Sequence, residues 1–325
     1  MDLEILTALR GKKRQLWEQL LLLSGLAIED APRQTILLWD GDTLAATGSR
    51  QGNLLKHLAT NPQYQGQGLL ATVMTALRQE AFKEGHKHLF LYTKPQNEVL
   101  FTPLLFYPVA STENVLLMED QKDGICKFLE SLPSCPGNNG AIVMNCDPFT
   151  LGHRYLIETA AKDCDRLYVF VLSEDRSCFS AEDRLNMVKL GTKDLPNVTV
   201  LPSGPYLISA ATFPTYFLKD RDAAETVHCQ LDIAVFTKYY APKFSIKCRY
   251  TGTEPLSAMT EKYNRALSDT LPRHGIQFVE IPRKEIAGNP ISASRVRKAL
   301  AEKDYDTVKQ LVPKTTFQYL QEESL

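Results

Sequence analysis

Hydrophobic and polar positions follow two different patterns along this chain of 325 residues. From residue 140 onward, short apolar runs typical of buried strands alternate with stretches of helical periodicity. The apolar runs are 141–144, 167–172, 198–201, 246–250 and 278–281, and the helical stretches begin at Gly152, at Ser180, near 215–220, at Ser257 and at Ser292. This regular alternation predicts an α/β domain whose Rossmann-like parallel sheet is covered by helices on both faces.

The first 118 residues are patterned differently. Residues 12–23 fit one amphipathic helix, and the apolar runs 35–39 and 43–47 flank a polar turn typical of a hairpin. A helical pattern over 66–84 ends at a glycine, and an apolar strand pattern follows it. This block is therefore predicted to be a mixed α+β domain.

Residues 119–139 separate the two patterns. This segment is polar and charged at its start and rich in proline, glycine and asparagine at its end. We therefore predict domains at 1–118 and 140–325, joined by a linker over 119–139.

Composition narrows the function classes. The chain carries 37 Lys and Arg against 38 Asp and Glu, so its net charge of −1 would not attract a polyanion, and nucleic acid is not expected as a partner. Seven cysteines without C-x-x-C spacing are typical of reduced thiols in a cytoplasmic protein. The acidic start and the short apolar run at 20–23 predict neither a signal peptide nor a membrane span.

The loop after the first strand of the second domain, residues 145–153, leads directly into a helix. Ligands of open parallel sheets bind at the carboxyl ends of the strands. Amides at a helix start favour negative charge, Gly152 permits close backbone approach, and His153 can donate an N–H to a phosphoryl oxygen. Taken alone, the loop fits a phosphate site and an ordinary strand-to-helix turn equally well.

A second motif lies near the end of the predicted sheet, at 288–298. Ser292 is a candidate helix cap, Ser294 adds a hydroxyl, and Arg297 can offer a fork of donors to phosphate. By itself this segment favours a capped surface helix with solvated bases. Together with the first loop it favours a phosphate-binding site.

The pairing of Thr150-x-Gly152-His153 with Ile291-Ser292-x-Ser294-x-x-Arg297 resembles the T/H-x-G-H nucleotidyltransferase superfamily, and longer stretches resemble the citrate lyase ligases within it. The resemblance implies a ligase that uses ATP to activate acetate as acetyl-adenylate. The acetyl group would then pass to the thiol of a dephospho-coenzyme A-type prosthetic group on the acyl carrier (gamma) subunit of citrate lyase. This forms a thioester and releases AMP and pyrophosphate, with Mg²⁺ accompanying the triphosphate.

The resemblance also implies residue roles. Thr150 and His153 would hold the triphosphate around the α-phosphorus, and Arg297 would hold the departing pyrophosphate. The rest of the nucleotide site would comprise Asn145, Asp147, Phe149, Gly152, Gly252, Glu254, Ile291, Ser292 and Ser294. A ribose wall and an ordinary turn both remain open for the 252–255 segment, and a solvated lysine is favoured over a phosphate ligand at Lys219.

The first domain carries a glycine motif of its own. Residues 63–68 resemble the Q/R-x-x-G-x-G/A pyrophosphate loop of GNAT-type N-acetyltransferases, and 105–108 resemble that family's second coenzyme A motif, with Leu105 at a glycine position. The resemblance implies an acetyltransferase-like domain that holds the coenzyme A-like arm of the carrier. The residues implied are Gln63, Gly66, Gly68 and Asn97. A domain that serves only as a scaffold is the alternative.

Other functions remain open at this point. A small-molecule adenylyltransferase of the pantetheine phosphate or mononucleotide type would need a second phosphate site and no protein partner. A coenzyme A-binding regulator, or a lysine acetyltransferase, would use the first domain and leave the second domain's phosphate motifs unexplained. Only the ligase predicts acetate-dependent exchange of pyrophosphate into ATP.

Overall fold

The computed structural model describes residues 1–29, 34–174, 177–208, 213–218, 224–253, 258–286 and 288–322. The chain divides into two compact units that are not contiguous in sequence. The first unit comprises Met1–Gly124 and Pro214–Val227, and the second comprises Ile125–Phe213 and His228–Leu325. All seven cysteines are free thiols.

A mixed sheet forms the centre of the first unit. Its described strands are β1 (Asp2–Leu6), β2 (Gln34–Asp40), β3 (Thr43–Gln51), β4 (Leu54–Thr60), β5 (Phe90–Thr93), β6 (Tyr107–Ser111) and β7 (Leu116–Glu119), and the helices along this part of the chain are α1 (Gly11–Leu23), α2 (Leu69–Lys83) and α3 (Glu98–Phe101). The strand order is β1-β2-β3-β4-β5-β7-β6. All pairs are antiparallel except β4 with β5, which is parallel.

Helix α2 packs on this sheet through an apolar face that includes Val73 and Leu77. A glycine is needed on β3 at this contact, since a Cβ at Gly48 would lie 2.7 Å from Val73 Cγ1. Strands β4 and β5 pair over only two residues, Leu54 with Phe90 and Leu55 with Leu91. Beyond that point the two strands are no longer paired, which leaves backbone groups of both strands available to other partners.

A parallel sheet forms the centre of the second unit. The remaining strands of the chain are β8 (Asn139–Met144), β9 (Leu167–Val171), β10 (Val198–Pro202), β11 (Ile246–Gly252), β12 (Gln277–Ile281), β13 (Glu285–Ile286) and β14 (Asn289–Pro290). The remaining helices are α4 (Gly124–Glu130), α5 (Leu151–Ala160), α6 (Ala181–Gly191), α7 (Ala224–Val235), α8 (Ala241–Lys243), α9 (Ala258–Thr270), α10 (Ala293–Ala301), α11 (Tyr305–Leu311) and α12 (Lys314–Glu322). None of the described helices has the length and apolar character that crossing a membrane would require.

The order β10-β9-β8-β11-β12 places the first strand of this unit at the centre of the sheet. The chain therefore reverses its direction of winding between β8 and β11, and the carboxyl ends of these two strands border the crevice where doubly wound sheets bind ligands. Buried apolar residues of β8, β9 and β11 join those of α5 and α10 in one core. The five predicted strands and the fold class are confirmed.

The prediction of a helix near 215–220 is wrong for residues 215–218, the part of this range that the structure describes. Residues 213–218 form an irregular segment with a turn, and the next helix, α7, begins at Ala224. The backbone carbonyl of Tyr216 accepts a hydrogen bond from Ala27 N–H at 2.7 Å, so this segment bonds to the first unit and not along a helix. Lys219 lies outside the described residues.

The units also differ from the predicted domain ranges. The division falls at 124/125, and part of the proposed linker forms α4. Residues 214–227 cluster with the first unit although they follow nearly ninety residues of the second. Sequence patterning could not show this, because the segment carries no composition change and its partners are distant in the chain.

Candidate active site

The T-x-G-H motif forms the capped start of α5 at the carboxyl end of β8. Thr150 is the N-cap, and its hydroxyl accepts the backbone N–H of His153 at 3.3 Å. In return, His153 Nδ1 accepts the backbone N–H of Thr150 at 3.1 Å. The histidine thus takes the place that glutamate or glutamine has in a capping box, which fixes its ring at the helix start.

The imidazole of His153 is held neutral with its proton on Nε2. Its Nδ1 is occupied by the N–H of Thr150, so the free ring nitrogen must carry the proton. Burial, together with the positive charge of Arg283, lowers the pKa of His153 to about 4. Phe149 stacks on the ring at a centroid distance of 6.0 Å. His153 therefore presents one N–H donor to the cavity at neutral pH.

The two sequence motifs meet at Gly152. A Cβ on Gly152 would lie 3.3 Å from the carbonyl oxygen of Ile291, which is tighter than an ordinary contact. Ser292, the next residue, caps α10 by accepting the N–H of Arg295 at 3.3 Å. The glycine lets the start of α5 lie directly against the start of α10, so that two helix N-termini border one site.

A cavity of about 360 Å³ lies at this point. It is bordered by the last residues of β8, β11 and β12 and by both helix starts. Arg283, which follows β12, also lines it and adds a guanidinium to the partial positive charges of the helix ends. An electropositive, half-enclosed crevice of this kind suits a phosphorylated ligand.

Seven of the predicted nucleotide residues line this cavity together: Asn145, Thr150, Gly152, His153, Gly252, Ile291 and Ser292. Phe149, in contrast, is fully buried in the core, where it supports the His153 ring and cannot contact a ligand. Glu254 lies outside the described residues. Arg283 was missed, because a base after a strand gains meaning only when the sheet order shows which crevice that strand borders.

Asp147 and Arg297 form a pair beside the cavity and are not among its lining residues. Arg297 Nη1 lies 3.4 Å from Asp147 Oδ2 and donates to the Asp147 carbonyl, while its Nη2 donates to Ser294 Oγ at 3.2 Å. The Asp147 carboxylate also accepts the amides of Cys178 and Phe179 at 3.2 and 3.0 Å. Asp147 is therefore a fixed anchor that orients the Arg297 guanidinium.

A buried arginine, Arg184, donates hydrogen bonds to the start of the 145–150 loop. It is fully buried and donates to the Asn145 side chain at 2.6 Å and to the Asn145 and Leu172 carbonyls at 3.0 and 2.8 Å. It also donates to the carbonyls of Phe179 and Glu174. The sequence pattern did not single out this residue, since an arginine within a helix is usually solvated.

The glycine loop of the first unit borders a second cavity, of about 660 Å³. Gly66, Gly68 and Asn97, which are predicted to hold the coenzyme A-like arm, all line this cavity. Gln63 does not line it; its backbone N–H bonds to Asn61, and Gln65 takes its place on the wall. Gly66 and Gly68 have φ of 78° and 72°, and Gly68 is the N-cap of α2. Leu105, at the position where the resembled coenzyme A motif has glycine, also has a left-handed φ, of 60°, a conformation that glycine adopts most readily.

The fold and the crevice together define the second unit as a doubly wound α/β protein with a crevice at its switch point. Residues 139–320 match the citrate lyase ligase C-terminal domain family, and residues 7–100 match the acetyltransferase (GNAT) family. The [citrate [pro-3S]-lyase] ligase of Klebsiella pneumoniae is 39% identical over 95% of this chain and 92% of its own length. That of Escherichia coli K12 is 39% identical over 96% and 91%. The chain belongs to the citrate lyase ligase family and is an enzyme of the ligase class.

Solved structures show more distant likeness. Thermotoga maritima TmcAL bound with alpha-thio ATP is 15% identical, with a TM-score of 0.35 over 57% of this chain and 56% of that chain. An acyl-CoA N-acyltransferase from Pseudomonas aeruginosa is 13% identical, with a TM-score of 0.32 over 37% of this chain and all of that chain. At these values the likeness carries no argument about function.

Proposed function

We propose that the second unit activates acetate with ATP and that the acetyl group then passes to a thiol on the acyl carrier subunit of citrate lyase. In the first step a carboxylate oxygen of acetate attacks the α-phosphorus, and the bond to the bridging oxygen of pyrophosphate breaks. In the second step the carrier's thiolate attacks the acetyl carbonyl. The bond to the phosphate oxygen breaks, AMP leaves with the electron pair, and the thiol proton passes to solvent.

The observation that carries this proposal is the convergence of two helix N-termini and Arg283 on one crevice at the switch point. Both helix starts supply amide N–H groups, and Arg283 supplies a full charge, so the site favours a polyanion such as a triphosphate. Family membership supports citrate lyase as the partner, because the named relatives are [citrate [pro-3S]-lyase] ligases.

We assign the residue roles on the geometry of the crevice. The His153 ring is fixed at the start of α5 and lines the cavity with Nε2–H as its donor, so we assign this N–H to the phosphoryl oxygens at the reacting phosphorus. Thr150 is already used to cap the helix and to orient His153, which makes it a positioning residue. Arg297, held by Asp147 and Ser294, would bind the departing pyrophosphate from the rim.

Mg²⁺ would arrive on the triphosphate. Within the part of the chain that the structure describes, no group of three or more His, Cys, Asp or Glu side chains could hold a metal ion. Triphosphate oxygens and water are ligands that Mg²⁺ accepts readily, and the ion would offset their charge when bound. The chain's own contribution to the triphosphate then consists of helix-start amides, His153 and its arginines.

The test is isotope exchange with the whole chain, ATP, Mg²⁺, acetate and labelled pyrophosphate. We expect label to enter ATP only when acetate is present, since only a reversible acetyl-adenylate links the two. Replacing acetate with pantetheine phosphate or nicotinamide mononucleotide is the control. Exchange that depends on either control compound and not on acetate would identify an adenylyltransferase instead.

We propose that the first-unit cavity receives the dephospho-coenzyme A-type arm of the carrier. Its diphosphate would bind at the start of α2, where Gly66 and Gly68 expose the backbone amides. The rest of the cavity wall is largely apolar and includes Leu69, Leu91 and Phe101, which suits the pantetheine part of such an arm. In this role the first unit binds the substrate arm and performs no chemistry itself.

Gly66→Val combined with Gly68→Val should lower acetylation of the carrier at least about tenfold and leave acetate-dependent exchange unchanged. The side chains would occupy the diphosphate position of the first-unit cavity, while the crevice of the second unit keeps all its residues. Carrier acetylation and exchange would be measured on the same preparation, with a melting curve to establish folding.

The matched control is Gly41→Val with Gly85→Val. These glycines also have positive φ, of 56° and 85°, and like Gly66 and Gly68 have nothing within 4 Å of an added Cβ. The control therefore carries comparable backbone strain away from the cavity. If both double variants slow carrier acetylation equally, strain and not the blocked cavity is responsible.

A further inference from the structure

Part of the wall of the first-unit cavity comes from a distant part of the sequence. Tyr216 and Phe217, on the 214–227 segment that clusters with this unit, both line the cavity. Tyr216 is only 4% exposed. Its hydroxyl donates to the Tyr92 carbonyl of β5 at 2.7 Å and lies 3.5 Å from the Leu55 carbonyl of β4. The ring thus sits at the point where β4 and β5 cease to pair.

Hydrogen bonds from the neighbouring Thr215 also fix the segment at this position. The backbone N–H and the hydroxyl of Thr215 both donate to Glu29 Oε1, at 2.7 and 2.9 Å. The other oxygen of Glu29 pairs with Lys56 of β4, whose ammonium lies 5.7 Å from the Tyr216 ring centroid. Lys56 is itself almost fully buried, so this ion pair is shielded from solvent. Tyr216 is therefore held rigidly in the wall of the cavity.

Nothing in the glycine-loop motif requires such a wall. The diphosphate end of the cavity is formed by the start of α2, whereas Tyr216 contacts the two strands across which the cavity extends. Burial raises the pKa of Tyr216, so its hydroxyl remains a donor to Tyr92 and cannot serve as a base at neutral pH. The side chain therefore limits the space of the cavity, and it lies where β4 and β5 cease to pair.

We propose that Tyr216 is the specificity-determining residue of the first-unit cavity, limiting it to a diphosphate-bearing thiol arm that carries no acyl group larger than acetyl. This inference rests on the proposed role of the first unit. The free thiol and its acetyl ester end before the tyrosine ring, while a longer acyl chain meets it. An acceptor amine finds no room beyond the thioester, so the unit holds its ligand without transferring from it.

The test is binding of dephospho-coenzyme A and its acetyl, butyryl and hexanoyl thioesters to the whole chain, measured by calorimetry. In the wild-type chain the hexanoyl ester should bind at least about tenfold more weakly than the acetyl ester, because its extra methylenes have no space. Tyr216→Ala should remove this discrimination. Tyr216→Phe, which keeps the ring and loses the hydroxyl, should retain it.

Since Tyr216→Ala removes a buried side chain, Tyr216→Leu provides a second enlargement with less lost packing. Equal binding of all thioesters by the wild-type chain would overturn the proposal, as would unchanged discrimination in a folded Tyr216→Ala or Tyr216→Leu variant. Failure of the wild-type chain to bind any of the four ligands would also overturn it. That last result would leave acetate-dependent exchange, and hence the function of the second unit, intact.

Discussion

His153→Ala should lower acetate-dependent exchange by about 10²–10³, the usual effect of removing one donor that stabilises charge developing in a transition state. The neutral ring presents a single N–H at the start of α5, and no other described side chain of that helix start can replace it. The fold should persist, because the ring is half-buried and the rest of the cap remains with Thr150. Exchange would be followed at saturating ATP and acetate.

His274→Ala is the matched control, since His274 is an exposed histidine of the same unit. It should exchange at the wild-type rate. A His153→Ala chain that also exchanges at that rate would show that the crevice at α5 is not where adenylation occurs.

Arg184→Met should destabilise the second unit by at least about 3 kcal/mol. Several acceptors lose their donor together, including the Asn145 and Leu172 carbonyls, and each buried acceptor left unpaired costs about 1–3 kcal/mol. Both tryptophans of the chain, Trp17 and Trp39, belong to the first unit. In a urea titration, circular dichroism should therefore show an earlier transition while tryptophan fluorescence keeps its wild-type midpoint.

Arg265→Met serves as the comparison for this variant. Arg265 is paired with Glu261 at 3.0 Å, but its side chain is 73% exposed, so its loss should cost less than about 1 kcal/mol. Equal midpoints for the two variants would mean that the hydrogen bonds of Arg184 do not stabilise the loop.

Much of the second unit was predictable from sequence because its central strands β8 and β9 contain uninterrupted apolar runs and α5, α6 and α10 begin at capping residues. Less of the first unit was predictable from sequence. Strand β4 was missed, since Lys56 and His57 interrupt its apolar pattern, yet both are buried by contacts with α1 and with residues distant in sequence. Strand β1 was missed because acidic and apolar residues alternate at its start and two of its apolar side chains are exposed.

The candidate site was likewise predictable from sequence only in part. The motif residues at the starts of α5 and α10 could be found because capping and glycine positions are local signals. Arg283 and Arg184 could not, because their roles depend on which strands and loops lie beside them. The helix predicted near 215–220 was wrong for the same reason. Tyr216 is hydrogen-bonded to Ala27 and Thr215 to Glu29, nearly 190 residues earlier in the chain.

The discontinuity of the first unit affects the order in which the protein is built on the ribosome. Residues 1–124 emerge first, but Tyr216, Phe217 and the bond to Ala27 become available only after most of the second unit's sheet has been synthesised. Until then, the Tyr216 side chain is missing from its place beside β4 and β5, which pair over only two residues. The first unit is therefore completed late, and a chain cut between residues 124 and 125 would separate Tyr216 from the strands β4 and β5 that it contacts.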